Sequence, residues 1–427
     1  MAFAEPQSRS YPTPRPAAIL TALSEPRVLF PAAALLVFWP LLARFYWPAD
    51  GGLDVTGHPI GRDFINAWAA PQLAFSGRLA TLFDLDGYAR AIGELFGAPL
   101  PFHNWSYPPF ALLLFRPLSQ LPYFWALALW TVGLFAAFAA VVLSRVEPGR
   151  RPYALVALAL APACLMNAVG GQNGFLTAAL LLGGVLCLDR RPVLAGILFG
   201  LLTVKPQLGL VLPFALLALG AWRTIAAAAA TALALVAASV TVFGFEPWRE
   251  YLGATSAYQL ALLEKWRGFY TLMMPSVFAG ARGLGLSSAA AWVVQAAVAA
   301  PVFAATAWAV RRTADPKRRA FVVAAAVPLV TPYAFNYDLT ALAAILVWKL
   351  CGRRPDEAPG PLHLLVWLSP ALMMSVSVPG AMPAALLVVF ARSVREAAEG
   401  SSPSWPPSVS IRGSTRPPRP AEGASSP

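Results

Sequence analysis

The sequence predicts an all-α polytopic membrane protein of about twelve spanning helices with one large extracytoplasmic loop. It does so on three grounds. Of 427 residues 58% are apolar and only 12% charged, and the mean hydropathy is +0.61, outside the range of soluble domains. Apolar runs of about 17 to 25 residues recur to the end of the chain, the length a helix needs to cross a bilayer, which gives helices rather than a barrel. Short Arg-rich joints separate many of these runs, as the positive-inside rule expects of cytoplasmic connections.

Taken in order, residues 1–27 are Pro- and Ser-rich and read as a disordered cytoplasmic tail. The first apolar run, 28–47, has no small-residue cleavage site and is expected to stay as a helix. Loop 48–121 follows, the longest polar interruption in the chain. Within it residues 107–118 are apolar but broken by Pro108, Pro109 and Pro117, so they should lie at the interface or re-enter. Leu121-Pro122 opens a second span ending near Ser144, and Arg145, Arg150 and Arg151 mark a cytoplasmic joint. Spans at 153–169, 173–188, 192–204, 206–222 and 224–245 come next, some of them short, as where helices break beside a cavity. A second external loop, 246–286, carries Trp248, Trp266, Arg267 and Tyr270, residues suited to headgroups. Spans at 287–310, 319–334, 338–351, 361–378 and 379–392 complete a transmembrane domain over 28–395, and the Ser/Pro-rich stretch 396–427 reads as a disordered tail. The joints Asp189-Arg190-Arg191, Arg311 to Arg319 and Lys349 to Arg354 agree on one side, which puts both termini in the cytoplasm.

The net charge of +12 would suggest nucleic acid in a soluble protein, but here the 32 Lys and Arg mostly cap helix ends. Membrane lipids, not nucleic acid, are the expected surroundings. Cys164, Cys187 and Cys351 lie in or beside apolar runs without metal-ligand spacing, so neither a disulfide framework nor a zinc site is expected. No Gly-x-Gly-x-x-Gly fingerprint, Walker lysine loop or zinc motif appears, which argues against a nucleotide-dependent enzyme with a soluble domain. An activated sugar used outside the cytoplasm would arrive on a lipid, because nucleotide sugars are cytoplasmic.

With this topology the polar groups within or beside apolar runs fall at the non-cytoplasmic ends of spans. They are Arg62-Asp63, His103-Asn104, the Gly170-Gly171-Gln172-Asn173 turn, Lys205-Pro206-Gln207, and Asn336-Tyr337-Asp338. Charge beside lipid costs several kcal/mol unless paired or hydrated, so such residues are functional candidates by default. Asp63 has the chemistry of a general base for a sugar hydroxyl; its bland alternatives are a helix cap or a solvated loop acid. Lys205 suits a lipid-linked phosphate, against snorkelling to the headgroups. His103 suits phosphate binding or proton transfer, against a backbone hydrogen bond in its loop. Asp338 either pairs with Lys205 or holds the acceptor. Gln172 and Asn173 either bond sugar hydroxyls or cap a helix. Trp105 and Tyr107 either stack on a sugar or prenyl chain or anchor at the interface. With His58, His103 and His363 the only histidines, a histidine metal site is not expected, and no metal is assigned.

Over residues 60–340 the chain resembles glycosyltransferase family 87, the polyprenol-phosphate-mannose-dependent α-1,2-mannosyltransferases of the GT-C class. The resemblance lies in Arg62-Asp63-Phe64 with Trp68 and Gly77, Leu82-Phe83-Asp84, Tyr107-Pro108-Pro109 leading to Pro117-Leu118 and Leu121-Pro122, Gly171-Gln172-Asn173, Lys205-Pro206-Gln207 and Asn336-Tyr337-Asp338. It implies a GT-C-type helical bundle in which Asp63 is the general base and a sugar, typically mannose, passes with inversion from a polyprenyl phosphate to a hydroxyl of a lipid or glycan acceptor. By that resemblance Lys205 is also a donor-phosphate candidate, while the other polar positions above are substrate-contact candidates from their placement; a bacterial-type plasma membrane location and no cofactor besides the lipid-linked donor are expected. Two other classes fit parts of the pattern: a lipid or sugar transporter or flippase, since broken helices suit alternating access, and a non-catalytic envelope-assembly scaffold. The clustering of polar islands at one face, with none at mid-membrane, favours the enzyme.

Overall fold

The computed structural model describes residues 25–265, 268–352, 358–376 and 378–399. The expected tails over 1–24 and 400–427, together with Trp266, Arg267 and the last two residues of the expected joint, Arg353 and Arg354, lie outside the described residues. Among the described residues the regular structure is helical, with two isolated β-bridges inside the first loop, Pro48 to Asp54 and Leu53 to Pro59.

The chain runs through α1 (Pro26–Tyr46), then α2 (Phe64–Phe75) and α3 (Leu85–Phe96) in the first loop, then α4 (Tyr123–Leu143). Next come α5 (Pro148–Ala159), α6 (Pro162–Gly170), α7 (Gly174–Cys187) and α8 (Pro192–Leu201). They lead through α9 (Leu212–Ala218) to α10 (Trp222–Phe243) and α11 (Ser256–Lys265). The last five are α12 (Ser288–Arg312), α13 (Pro316–Val330), α14 (Thr340–Leu350), α15 (Pro361–Ser375) and α16 (Ala381–Glu399). A helix stands at each of the twelve positions where a span is expected. Four of them, α1, α4, α10 and α12, at 21, 21, 22 and 25 residues, are long and apolar enough to cross a membrane alone. α5 and α6 pass as a fifth span bent by 57°. Pro162 causes that break: it cannot continue the ladder of α5 and holds Ala161 extended, at φ −60° and ψ 128°. The others are shorter. α7 has 14 residues, roughly 21 Å at 1.5 Å per residue against a hydrocarbon core of about 30 Å. Several expected boundaries move: α1 already begins at Pro26, α9 covers only Leu212–Ala218 of the span expected over 206–222, and α16 runs to Glu399, beyond the span end expected at 392 and the domain end expected at 395.

The joints meet at one end of the bundle. Arg27 donates to the carbonyl of Leu350, an orphan carbonyl at the end of α14, and Arg27 and Arg150 both donate to that of Gly352 just past the helix. At the same end Arg319 bonds both carboxylate oxygens of Asp189 at 2.7 and 2.8 Å, and Lys349 pairs with Glu396 at 2.7 Å. Because α7, α13 and α14 each have one terminus in this clamp, their other termini, at Asn173, Thr331 and Asp338, lie together at the opposite end. α13 and α14 are buried almost all round and form the centre of the bundle.

Close packing sets α8 against α10. Gly196 and Gly200, four apart on α8, lie so near α10 that an added Cβ would stand 2.5 Å from Ala227 Cβ and 2.5 Å from Thr231 Cβ respectively, the small-residue approach that membrane helices use. α8 ends at Leu201, and the chain continues as two 3₁₀ turns, Leu202–Val204 and Pro206–Gly209, around Lys205. Irregular backbone at this depth is tolerated where it lines a cavity. The segment expected to re-enter forms a short helix, Ala111–Phe115, with Phe110, Ala111, Leu112 and Phe115 buried.

Candidate active site

The turn before α2 is built by two residues at positive φ, Gly61 at +84° and Arg62 at +33°. A side chain at positive φ costs energy unless neighbours hold it, and Arg62 is held firmly. Its guanidinium bonds Asp54 at 2.8 Å and Thr56 at 3.0 Å, donates to the carbonyl of Phe45 and lies 4.2 Å over the ring of Tyr46. Asp54, 2% exposed at its side chain, is consumed by this pairing and by bonds from Thr56 and His58. Arg62 lines the site but acts mainly on its own loop.

The strained turn delivers Asp63 to the head of α2 with its side chain exposed. It makes no capping bond to the helix, which removes the reading of Asp63 as a helix cap. One carboxylate oxygen accepts from the side-chain amide of Gln172 and the main-chain N–H donates to Gly170 O at 3.2 Å. The helix N-terminus also favours negative charge there. Gly171 makes this docking possible. Its φ is +57°, and a Cβ on it would stand 2.1 Å from Gly61 O and 2.6 Å from Phe64 Cβ. Trp130 Nε1 secures the turn from α4, donating to the carbonyls of Gly171 at 3.1 Å and Gln172 at 3.2 Å.

Lys205 approaches from the turn after α8. Its ammonium is 2.6 Å from Asp338 Oδ1, 3.4 Å from Asn173 Oδ1 and 4.7 Å from the centre of the Tyr337 ring. Snorkelling to the headgroups is thereby overturned: the pair forms inside the protein, with side chains 10% and 2% exposed. Asn173 turns its NH2 to Tyr107, whose hydroxyl accepts at 2.9 Å, so Lys205, Asn173 and Tyr107 form one chain of bonds. Burial and the nearby Asp63 charge raise the Tyr107 phenol, keeping it a hydrogen-bond donor.

Of the twelve expected site residues, ten line one cavity of about 710 Å³: Arg62, Asp63, His103, Asn104, Tyr107, Gln172, Asn173, Lys205, Gln207 and Tyr337. Asn336 and Asp338 do not. Asn336 is fully buried and structural, donating to Pro370 O at 2.7 Å and accepting from Tyr337 N, while Asp338 stands behind Lys205 and accepts from Phe335 N at 2.9 Å. Trp105 is also absent from the wall: it is 2% exposed in the core below. His103 keeps its loop bond, with Nδ1 2.7 Å from Pro101 O; a carbonyl only accepts, so Nδ1 carries the proton and Nε2 is left as an acceptor in the neutral ring. The side-chain amide nitrogen of Asn104 is buried without a protein partner among the described residues.

Residue-type reasoning missed several members. His58 lines the cavity with its ring centre 6.0 Å from that of His103. Asn167 is buried and joins α6 to the 336–340 turn, donating to Tyr337 O at 2.9 Å and Thr340 Oγ1 at 2.7 Å while accepting from Gly174 N at 2.6 Å. An amide inside an apolar run just before a Gly-Gly turn was the available signal. Gln259 and Tyr333 also line the cavity and carry no sequence signal. Among the described residues no group of three His, Cys, Asp or Glu converges as a metal cage.

Beside the polar cavity lies an apolar groove of about 430 Å³, lined by Leu114, Phe115, Trp130, Leu134, Leu176 and Leu201 among others. Val204, the residue before Lys205, lines both spaces.

A family model described as glycosyltransferase family 87 matches residues 105–332, just over half of the chain. No curated protein and no solved structure matches.

Proposed function

The chain belongs to glycosyltransferase family 87 and is a membrane glycosyltransferase, and from that premise we propose that it transfers a sugar, most simply mannose, from a polyprenyl phosphate to a hydroxyl of a lipid or glycan acceptor, with inversion. The observation that carries this reading is the junction at Val204, where a groove fit for a hydrocarbon chain meets a cavity holding one open carboxylate and one buried ammonium. A prenyl chain in the groove would bring its phosphate beside Lys205.

In this mechanism the uncommitted oxygen of Asp63 takes the proton of the acceptor hydroxyl while Gln172 fixes the other oxygen. The acceptor oxygen bonds to the anomeric carbon from the face opposite the phosphate. The bond from that carbon to the phosphate oxygen breaks, and its electron pair leaves with the prenyl phosphate. The donor diester carries one negative charge and gains a second as the bond breaks. Lys205 and the Tyr107 hydroxyl are placed to stabilise that gain. Asp338 neutralises Lys205 beforehand, so the site binds the donor through a shared cation. We further propose that all twelve apolar helices belong to the membrane bundle, that the cavity opens on the extracytoplasmic side of a bacterial-type plasma membrane, and that both termini are cytoplasmic.

Asp63→Asn tests the base. Asn keeps the shape and the acceptor for Gln172 but cannot take the proton, and loss of general-base catalysis lowers the rate about 10²- to 10⁴-fold, roughly 3 to 5 kcal/mol of barrier. The assay is transfer from a polyprenyl-phosphate sugar by purified protein in nanodiscs, with thermal unfolding as the control for folding. A folded variant that retains a tenth or more of wild-type transfer rules Asp63 out as the base.

A further inference from the structure

His58 and His103, distant in the sequence, both line the cavity that Asp63 lines, and each keeps one ring nitrogen that the fold does not use. We infer that the two imidazoles form a two-nitrogen binding site for a borderline transition-metal dication such as Zn²⁺, and that an ion held there inhibits the transferase. The site itself stands apart from the sugar-transfer reading; the inhibition rests on it.

The first support is that hydrogen bonds fix both rings in the tautomer a metal needs. His103, 4% exposed, carries its proton on Nδ1 for Pro101 O at 2.7 Å, so Nε2 keeps its lone pair. His58 Nδ1 is 2.9 Å from Thr56 Oγ1, and the one proton of that hydroxyl goes to Asp54 Oδ1 at 2.6 Å. Nδ1 of His58 must therefore be the donor, which leaves its Nε2 a lone pair as well. Metal-ligating histidines commonly donate their other ring N–H to a carbonyl or a carboxylate. Here one N–H goes to a carbonyl and the other to a hydroxyl that is itself bound to a buried carboxylate. Among the described residues neither Nε2 receives a hydrogen bond, and neither can serve the other, because both only accept.

The second support is separation. The two ring centres are 6.0 Å apart. An ion about 2.0 to 2.1 Å from each Nε2 stands about 3.2 Å from each ring centre, so centres up to about 6.4 Å apart can share one ion, and a tetrahedral angle asks for about 5.2 Å. The half-buried His58 needs to close on its neighbour by only about 1 Å to reach that angle. Among the described residues no third His, Cys, Asp or Glu converges with the pair. Two protein ligands make an exchangeable site, unlike a structural zinc, whose four ligands all come from protein. Imidazole nitrogens select Zn²⁺ and its neighbours over Mg²⁺, which prefers oxygen. A double positive charge in this cavity favours the ionised form of Asp63 and so weakens it as a base.

The test measures binding apart from turnover. Zn²⁺ is titrated calorimetrically into the full chain, purified without a histidine tag, in nanodiscs of zwitterionic lipid, with Mg²⁺ as the oxygen-seeking control. The expected result is one saturable Zn²⁺ per chain and no Mg²⁺. Affinity should fall roughly tenfold or more in His58→Gln and in His103→Gln, and about 10- to 100-fold in Thr56→Val, which removes the acceptor that fixes the His58 tautomer. Co²⁺ on the wild type should show the visible absorption of a nitrogen-ligated ion, a reading that needs no variant to fold. Zn²⁺ should also slow transfer from the polyprenyl-phosphate donor until a chelator is added, and His58→Gln should lose that sensitivity relative to its own metal-free rate. No saturable Zn²⁺ binding by the wild type, equal binding of Mg²⁺, or undiminished affinity in both histidine variants would overturn the site. A transfer rate unmoved by saturating Zn²⁺ would overturn the inhibition. Zn²⁺ binding by a protein with no transfer activity at all would instead sink the glycosyltransferase mechanism and leave the metal site standing.

Discussion

Replacing Lys205 by Met and Asp338 by Asn, singly and together, separates what the buried pair does for the fold from what it does for the donor. Lys205→Met leaves a carboxylate that is 2% exposed with the Phe335 N–H as its one other partner among the described residues. Asp338→Asn keeps that N–H bond but leaves the ammonium with Asn173 Oδ1 at 3.4 Å and a ring face. Breaking a buried pair from one side costs about 3 to 5 kcal/mol, because the remaining charge is uncompensated. The double variant holds no unpaired charge and loses about one charge-assisted bond, on the order of 1.5 to 3 kcal/mol. The cycle should therefore show a coupling energy of about 3 kcal/mol or more, read from unfolding in one defined detergent. Donor binding should behave differently. The double variant regains stability but not the cation, so its apparent KM for the donor should rise roughly 10- to 150-fold, the equivalent of about 1.5 to 3 kcal/mol. Lys205→Ala should raise it more than Lys205→Arg, which keeps the charge. Single-variant costs that simply add, within about 0.5 kcal/mol, would refute the buried pair. A stable double variant with wild-type donor KM would refute the phosphate contact.

Two other outcomes follow from the geometry. Gly171→Ala places a Cβ 2.1 Å from Gly61 O at a φ of +57°, so strain of about 1 to 2 kcal/mol from the backbone and a further 1 to 3 from overpacking should lower the unfolding temperature and the transfer rate together; a variant with wild-type stability would show that the two turns are not docked this way. His58 is held below its usual range by burial, then by Arg62 and His103. The unfolded chain therefore binds that proton more readily, and stability present above pH of about 6.5 is lost as pH falls toward the depressed value. Unfolding temperatures measured from pH 7 to 5 should fall less in His58→Gln than in the wild type; an identical slope in the two proteins would remove His58 as a contributor.

The helices were legible because lipid imposes a strong constraint: an apolar run of sufficient length must satisfy its own backbone, and that shows in local composition. Helices therefore stand at all twelve expected positions, and the polar islands at 62–63, 103–107, 172–173 and 205–207 do converge. The partners inside the site were not legible, because pairing depends on which helix ends meet. Lys205 and Asp338 lie 133 residues apart, and either alone reads as a snorkelling cation or a loop acid. Arg62 looks like a substrate ligand until Asp54 and Phe45 O are seen to hold it. The parts of the cavity wall given by Tyr258, Gln259 and Tyr333 were not legible either, since the first two are ordinary residues of an external loop and Tyr333 falls inside the span expected over 319–334.

By itself, then, the chain's alternation of apolar runs with polar breaks determined an all-helical membrane bundle and the neighbourhood of Asp63. Only the tertiary structure decided which oxygens and nitrogens answer one another there. Helix formation is a property of consecutive residues, whereas a carboxylate left open beside a neutralised ammonium depends on close approaches such as that of Gly171 to Gly61, which no stretch of sequence contains on its own.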